Sequence, residues 1–151
     1  GGATWTLSQH RGHVVLLNYF ATWCPPCMAE TPDLVKIAHD YAAKGVDFAA
    51  ISLDADAPGQ PRTKPLVAFQ SQYHVPYPIL LPGPNAVLFG NQTQVGIPQT
   101  YLIDRDGRTA RVVVGEINPK DIRHSLDQLL AEKPTPAPLH VTVATAARLK
   151  P

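Results

Sequence analysis

The amino-acid sequence predicts an α/β fold in which helices flank a mixed central sheet. The first observation is an apolar strand pattern at 13–20 that leads directly into a helical pattern at 25–43. The second is another buried strand pattern at 46–54, so that strand, helix and strand alternate. The third is a hairpin pattern at 99–116, which is followed by an amphipathic helix at 118–132. Alternation favours parallel neighbours and the hairpin adds antiparallel ones, so we expect a mixed sheet.

The first strand and helix are predicted from their apolar spacing. The run HVVLLNYF (13–20) is almost continuously apolar and contains β-branched and aromatic residues, as in a strand covered on both faces. After Pro25 the spacing becomes helical, and the apolar face consists of Leu34, Ala38, Tyr41 and Ala42. Gly45 is expected to end this helix. The run VDFAAISLD (46–54) then repeats the buried strand pattern.

The middle of the chain contains many of its 16 prolines. A Pro-rich loop follows the second strand. Beyond it the pattern predicts a helix over 65–74, a short strand over 78–81 and a helical turn over 85–90.

A hairpin and a helix complete the predicted fold. The strands QTYLID (99–104) and TARVVVGE (109–116) flank RDG, where Gly107 supplies the positive φ that the turn needs. The helix over 118–132 has Asn118 as its N-cap. Its buried stripe consists of Ile122, Leu126, Leu129 and Leu130.

We expect one folded domain over 1–132, followed by a Pro-rich linker and a tail over 133–151. The stretch KPTPAP is typical of an extended linker. The residues after it, LHVTVATAARLKP, fit either a docked strand or a frayed tail, and we favour the tail.

Composition and charge limit the classes of function. A chain of 151 residues, 44% of them apolar, can bury one sizeable core. Its net charge of +1 gives no electrostatic basis for binding nucleic acid, so no nucleic-acid partner is predicted. No apolar run reaches the length of about 18 residues that a membrane span needs.

Both cysteines lie at the junction of the first strand and helix. Cys24 is expected to face the free N–H groups and the positive end of the helix dipole, which favour the thiolate. Cys27 lies one turn later, across Pro25 and Pro26, which suit a first helical turn. A disulfide this short removes little entropy from the unfolded chain, so a redox pair is favoured over a structural staple. Zinc prefers four ligands and the histidines are scattered, so neither a metal nor another cofactor is predicted.

The motif FATWCPPC resembles the active-site signature of the thioredoxin superfamily, which implies a thioredoxin-like fold. Pro32 matches the proline that kinks the family's active-site helix, and GIPQTYLID (96–104) matches the loop with a cis-proline. The chain is most similar to the TlpA/ResA/CcmG-like exported thiol–disulfide oxidoreductases, over roughly residues 5–132. In that resemblance WTLSQHRGHVVLLNYF corresponds to an N-terminal hairpin, and residues 54–90 to a central helix–strand insert.

The resemblance also implies roles for individual residues. The Ile97–Pro98 bond is expected to be cis, with Ile97 binding substrate through its backbone and Pro98 keeping metals from the thiols. Many thioredoxins have a buried acid at the position of Asn18, which cannot accept a proton. Glu30 matches the acid of ResA-like members, and helix geometry points it back towards Cys27.

The predicted reaction is thiol–disulfide exchange with Cys24, Cys27 and Glu30 as catalytic residues. Substrate binding is assigned to five residues around them: Trp23, Pro25, Pro26, Ile97 and Pro98. The resemblance implies a monomeric extracytoplasmic reductant, periplasmic or tethered to a membrane through a segment absent from this chain. Its partners would be protein disulfides, with apocytochrome c as one candidate, and a membrane thiol donor of electrons.

Two alternatives belong to other classes of function. A peroxiredoxin-like peroxidase shares the fold but needs a Thr three residues before its cysteine, where this chain has Ala21. A Sco-like copper-delivery module usually carries CxxxC and a distal His, whereas this chain has CxxC.

Overall fold

The computed structural model describes residues 4–57, 60–61, 63–82, 96–133 and 145–148. Its strands are β1 Thr4–Thr6, β2 Val14–Phe20, β3 Val46–Ser52, β4 Ala55–Ala57, β5 Gln60–Pro61, β6 Ile79–Pro82, β7 Gln99–Ile103, β8 Thr109–Val114 and β9 Thr145–Arg148. The helices are α1 Pro25–Tyr41, α2 Thr63–Tyr73 and α3 Pro119–Ala131, with 3₁₀ turns at Leu7–His10 and Ala42–Lys44. The predicted helical turn at 85–90 lies outside the described residues.

Seven strands form one mixed sheet in the order β1-β9-β6-β3-β2-β7-β8. Strands β2, β3 and β6 are parallel neighbours. On the other side of β2, β7 pairs antiparallel with β2 and β8 pairs antiparallel with β7. Strands β4 and β5 pair separately, within the stretch expected to be a loop. The predicted α/β fold with a mixed sheet is therefore confirmed.

Strand β2 is central because both of its faces are covered. All seven of its residues are buried. Leu16 belongs to a core cluster that also contains side chains of α1, α2 and α3, whereas Leu17 belongs to a second cluster on the opposite face. Side chains alternate across a strand, so a continuous apolar run is what this position requires.

The predicted N-terminal hairpin is not found, because β1 does not pair with β2. Strand β1 pairs instead with β9, with Trp5 opposite Ala146. Three strands separate β1 from β2 in the sheet. The physical reason is burial: Trp5 and Leu7 enter the core cluster opposite α1, and the 3₁₀ turn carries the chain there.

The prediction of a frayed C-terminal tail is also wrong for residues 145–148, because they form β9. This strand pairs with β1 on one side and with β6 on the other. Pairing on both sides satisfies backbone groups that β1 and β6 would otherwise leave at open edges. The alternative of a docked strand is the one found, while the division between 1–132 and 133–151 stays a prediction.

The predicted end of the first helix and the predicted turn of the hairpin are both found at their glycines. Gly45 has φ +90° after the 3₁₀ turn that ends α1, and Gly107 has φ +81° in the β7–β8 turn. Ala42 is exposed rather than buried, because it lies in that 3₁₀ turn and not on the apolar face of α1.

We predict that Asn118→Ala destabilises the protein through α3. The Asn118 side chain accepts a hydrogen bond from the Lys120 backbone N–H at 3.0 Å, which caps the helix. Loss of such a cap costs about 1 kcal/mol of unfolding free energy. Urea denaturation measures it, and Asn118→Asp, which keeps the acceptor, is the control. Equal stability of the alanine variant and the wild type would contradict the role of the cap.

Candidate active site

The two cysteines form a disulfide at the start of α1. Cys24 is the N-cap, and the Cys24 and Cys27 Cα atoms are 5.3 Å apart. Both cysteines are buried, with exposed fractions of 4% and 1%. Around them Trp23 is 64% exposed, and Pro25 and Pro26 are also exposed. The disulfide therefore lies beneath an apolar rim that another protein can contact.

The loop before β7 lies against the disulfide. The Ile97–Pro98 bond is cis, as the resemblance implied. The carbonyl oxygen of Ile97 lies 3.8 Å from the Cys24 sulfur. Pro98 is buried, and its carbonyl oxygen accepts a hydrogen bond from the Gly115 N–H at 2.9 Å. Two segments 73 residues apart in sequence thus meet at the Cys24 sulfur.

Glu30 is a buried carboxylate with a partner for each oxygen. Its exposed fraction is 2%. The Asn18 amide donates to Oε1 at 2.8 Å, and the Ile117 backbone N–H donates to Oε2 at 2.9 Å. The same Asn18 amide donates to the Thr100 hydroxyl at 3.0 Å. Sequence reasoning treated Asn18 only as a missing base, whereas the structure makes it the donor that orients the carboxylate.

Burial raises the pKa of Glu30 from its ordinary value of 4.5 to about 7 in the disulfide form. Loss of hydration is the largest cause, since it penalises the charged carboxylate. The hydrogen bonds from Ile117 and Asn18 oppose this effect, and the nearby charge of Glu116 adds to it. A carboxyl group with a pKa near neutrality can gain and lose a proton at physiological pH.

Asp54 is a residue of the site that sequence reasoning missed. It is buried, and its carboxylate accepts hydrogen bonds from the Thr22 N–H at 2.9 Å, the Thr22 hydroxyl at 2.6 Å and the Ser52 hydroxyl at 2.8 Å. These bonds tie the loop before Cys24 to the end of β3. The sequence signal that could have identified Asp54 is its position just after β3. The carboxyl ends of neighbouring parallel strands lie side by side, so a residue that follows β3 is expected near the loop that follows β2.

Neither a metal cluster nor a membrane span is found in the described part of the chain. Among those residues, no group of three or more His, Cys, Asp or Glu side chains is arranged to hold a metal ion. None of the described helices has the length and the apolar character needed to cross a bilayer.

The family model described as Redoxin matches residues 1–130 of the chain. The chain belongs to the Redoxin family. Among curated relatives, thiol-disulfide oxidoreductase ResA of Geobacillus thermodenitrificans is 30% identical over 124 residues, covering 82% of this chain and 67% of that protein. The thioredoxin-like protein YneN of Bacillus subtilis is 32% identical over 124 residues, covering 81% and 68%.

Solved structures of similar proteins agree with this Redoxin assignment. A thiol:disulfide interchange protein of the thioredoxin family from Chlorobium tepidum is 25% identical, with a TM-score of 0.69 over 82% of this chain and 84% of that one. A secreted thiol-disulfide isomerase from Corynebacterium glutamicum is 25% identical, with a TM-score of 0.71 over 87% and 85%. The comparisons confirm the predicted family, the thioredoxin-like fold and thiol–disulfide oxidoreductase as the class of activity.

We predict that Glu30 makes the stability of the oxidised protein fall as pH rises. The folded protein keeps the Glu30 proton up to a pKa of about 7, whereas the unfolded chain releases it near 4.5. Between these pH values the folded state therefore binds more protons than the unfolded chain. The contribution of Glu30 to stability is complete below pH 4.5 and is lost as pH rises through about 7. The shift corresponds to about 3 kcal/mol in total.

Urea unfolding of oxidised wild type and Glu30→Gln from pH 4 to 8 measures this effect. Glutamine does not titrate, so the unfolding free energy of the wild type should fall relative to that of Glu30→Gln as pH rises. A difference that stays constant over this range would show that the Glu30 pKa is the same in the folded and unfolded chains.

Proposed function

We propose that the thiol–disulfide oxidoreductase activity of this protein resides in Cys24 and Cys27, and that it reduces disulfides of partner proteins outside the cytoplasm. The observation that carries the proposal is the disulfide at the N-terminus of α1, in contact with the Ile97 carbonyl group. Glu30 lies on the same helix, three residues beyond Cys27, and supplies a group that can accept a proton.

Cys24 is the proposed nucleophile of the reduced protein. As the N-cap of α1 it faces the positive end of the helix dipole, and the first turn of that helix carries no acidic residue. Both conditions favour the thiolate. The thiolate attacks one sulfur of the partner disulfide, so a bond between Cys24 and the partner forms as the partner's own S–S bond breaks. The leaving sulfur departs as a thiolate.

Cys27 then resolves the mixed disulfide. In its carboxylate form Glu30 takes the proton of the Cys27 thiol, since helical side chains lean towards the N-terminus and bring Glu30 back towards the previous turn. The Cys27 thiolate attacks the Cys24 sulfur and the partner leaves as its second thiolate. The two partner thiolates take up protons, so the partner gains two electrons while Cys24 and Cys27 return to the disulfide.

The rim and the loop before β7 are the proposed binding surface for the partner. Trp23, Pro25 and Pro26 offer exposed apolar contacts beside the sulfur atoms. Ile97 is half-buried next to Cys24, so its backbone can form strand-like hydrogen bonds with an extended partner segment. The buried Pro98 holds this segment against the disulfide.

Similarity to a secreted thiol-disulfide isomerase supports a place of reaction outside the cytoplasm, and similarity to the oxidoreductase ResA supports disulfide exchange as the reaction. Reduction is the direction that we propose from the resemblance to exported oxidoreductases. We propose a periplasmic or other extracytoplasmic location for a monomeric protein. Electrons would come from a thiol donor in the membrane. Cysteine-containing exported proteins, with apocytochrome c as a candidate, would be the clients.

Single cysteine variants test the proposal. With dithiothreitol as electron donor, the wild type should accelerate insulin reduction, and Cys24→Ser should abolish the acceleration because the nucleophile is gone. Cys27→Ser should accumulate a mixed disulfide with insulin, visible by mass spectrometry under non-reducing conditions. In the reduced wild type, iodoacetamide should modify Cys24 faster than Cys27 at neutral pH. Equal alkylation rates would refute the assignment of the nucleophile.

Two further assays separate the alternative classes of activity. Rapid consumption of hydrogen peroxide by the reduced protein would favour a peroxidase. Tight binding in a Cu(I) titration would favour a copper-delivery module. We expect neither at a level comparable with disulfide exchange.

We predict that Glu30→Gln slows disulfide reduction without loss of the fold. General bases contribute a hundredfold or more, but water can partly replace this one, so we expect about tenfold. The second-order rate, measured from pH 6 to 9, should also lose the part of its pH dependence that comes from ionisation of Glu30.

Asp33→Asn is the matched control for this measurement. Asp33 is a carboxylate on the same helix, but it pairs with Lys36 at 3.7 Å and is partly exposed. Its variant should keep the wild-type rate profile. If the Glu30→Gln and wild-type profiles agree within twofold, the proton of Cys27 goes elsewhere.

A further inference from the structure

Gln99 is a buried polar residue at the start of β7, directly after Pro98. Its exposed fraction is 1%. A polar side chain is costly to bury unless hydrogen bonds replace its hydration. Neither the exchange reaction nor the binding of a partner, as proposed above, uses this side chain. Its hydrogen-bond partners therefore indicate what it contributes.

The Gln99 amide links the loop before β7 to the strand itself. Its Nε2 atom donates to the Gly96 carbonyl oxygen at 2.6 Å. Its Oε1 atom accepts a hydrogen bond from the Tyr101 hydroxyl at 3.0 Å. A carbonyl oxygen only accepts, whereas a tyrosine hydroxyl can donate, so both ends of the amide are satisfied in one orientation. The NH₂ group of Gln99 is thus directed to Gly96.

The backbone carbonyl groups on either side of Ile97 are both bound within the protein. Gln99 binds that of Gly96, and the Gly115 N–H binds that of Pro98 at 2.9 Å. Pro98 has no N–H of its own. Among the described residues, no hydrogen-bond partner is found for the Ile97 N–H. Because the Ile97 side chain packs against both core clusters, its backbone is the part left for a partner.

The bond from Gln99 controls the direction of the Ile97 N–H. The Gly96 carbonyl group and the Ile97 N–H belong to one planar peptide group, which is trans, so the two point in opposite directions. Gly96 is exposed and has φ +77°, and a glycine reaches other conformations at little cost. Any such change would rotate this peptide group. Holding the Gly96 oxygen therefore holds the Ile97 N–H as well.

We propose that Gln99 is a positioning residue for partner binding, whose amide holds the Gly96–Ile97 peptide group so that the Ile97 N–H can pair with an extended protein segment. This inference rests on the proposed function, because it concerns how the loop before β7 binds a partner. It favours disulfides within a polypeptide backbone over small disulfides, which have no backbone groups to pair with Ile97.

Gln99→Met tests the proposal because it removes the amide and keeps a side chain of similar length. The pre-reduced protein is mixed with excess insulin, and its oxidation is followed in single turnovers. The half-saturating insulin concentration should rise about fivefold, as loss of one hydrogen bond reduces the fraction of molecules with a competent loop. The maximal rate should stay within twofold. With bis(2-hydroxyethyl) disulfide the rate should not change.

Tyr101→Phe is a second variant that leaves the Gln99–Gly96 bond possible. It keeps the ring, which packs on Tyr19 at a centroid distance of 5.6 Å, and removes the hydroxyl that orients the amide. We expect an effect in the same direction but smaller, about twofold on the half-saturating insulin concentration. The rate with the small disulfide should again be unchanged.

Ile103→Val is the matched control for loss of stability. Ile103 lies on the same face of β7 as Gln99 and Tyr101 and is fully buried, but it is at the far end of the strand from the loop. Its truncation weakens the core and should leave both disulfide reactions as in the wild type. Melting temperatures rank the variants by stability. ¹⁵N relaxation should show a lower order parameter for the Ile97 N–H in Gln99→Met and no change in Ile103→Val.

The outcomes separate this inference from the function on which it rests. If the wild type reduces neither disulfide, the proposed function fails and the inference fails with it. If the wild type reduces both, and Gln99→Met slows both by the same factor or neither, Gln99 is only structural and the inference alone is overturned. Should Gln99→Met not fold, Tyr101→Phe decides, and an unchanged half-saturating insulin concentration in that variant overturns the inference.

Discussion

Glu30 joins three parts of the chain that are far apart in sequence. Its carboxylate belongs to α1 and is held by an amide of β2 and by a backbone N–H just before α3. A carboxylate is costly to bury unless hydrogen bonds replace its hydration, so the core can hold Glu30 only in this arrangement. The same burial raises its pKa to about 7. The same hydrogen bonds thus tie α1 to β2 and to the segment before α3, around a carboxyl group whose pKa is raised by burial.

The disulfide is positioned by contacts from both of its sides. Asp54 fixes the loop before Cys24 to the end of β3, and Ile97 approaches the Cys24 sulfur from the segment that leads into β7. The sulfur atoms therefore lie at the carboxyl ends of the parallel strands β2 and β3, where the antiparallel strand β7 begins. The carboxyl ends of the strands are where parallel sheets generally bind ligands, because loops from separate strands converge there.

The two edges of the sheet differ in how they are completed. Strands β1 and β9 extend the parallel core beyond β6, and Trp5 brings β1 into the cluster opposite α1. At the other edge β8 is mostly exposed and includes Val112 and Val114.

The sequence by itself determined the elements whose signals are local. Apolar periodicity placed β2, α1, β3 and α3, glycines marked the turns, and the CxxC motif at a strand–helix junction indicated the redox pair. Tertiary structure alone decided the pairing of β1 with β9, because β1 is too short for its pattern to specify a neighbour and the choice depends on the burial of Trp5. It also decided that Asn18 donates to Glu30 and that Asp54 holds the active-site loop. These partners lie 12 and 32 residues apart, and only packing brings such groups within hydrogen-bond distance.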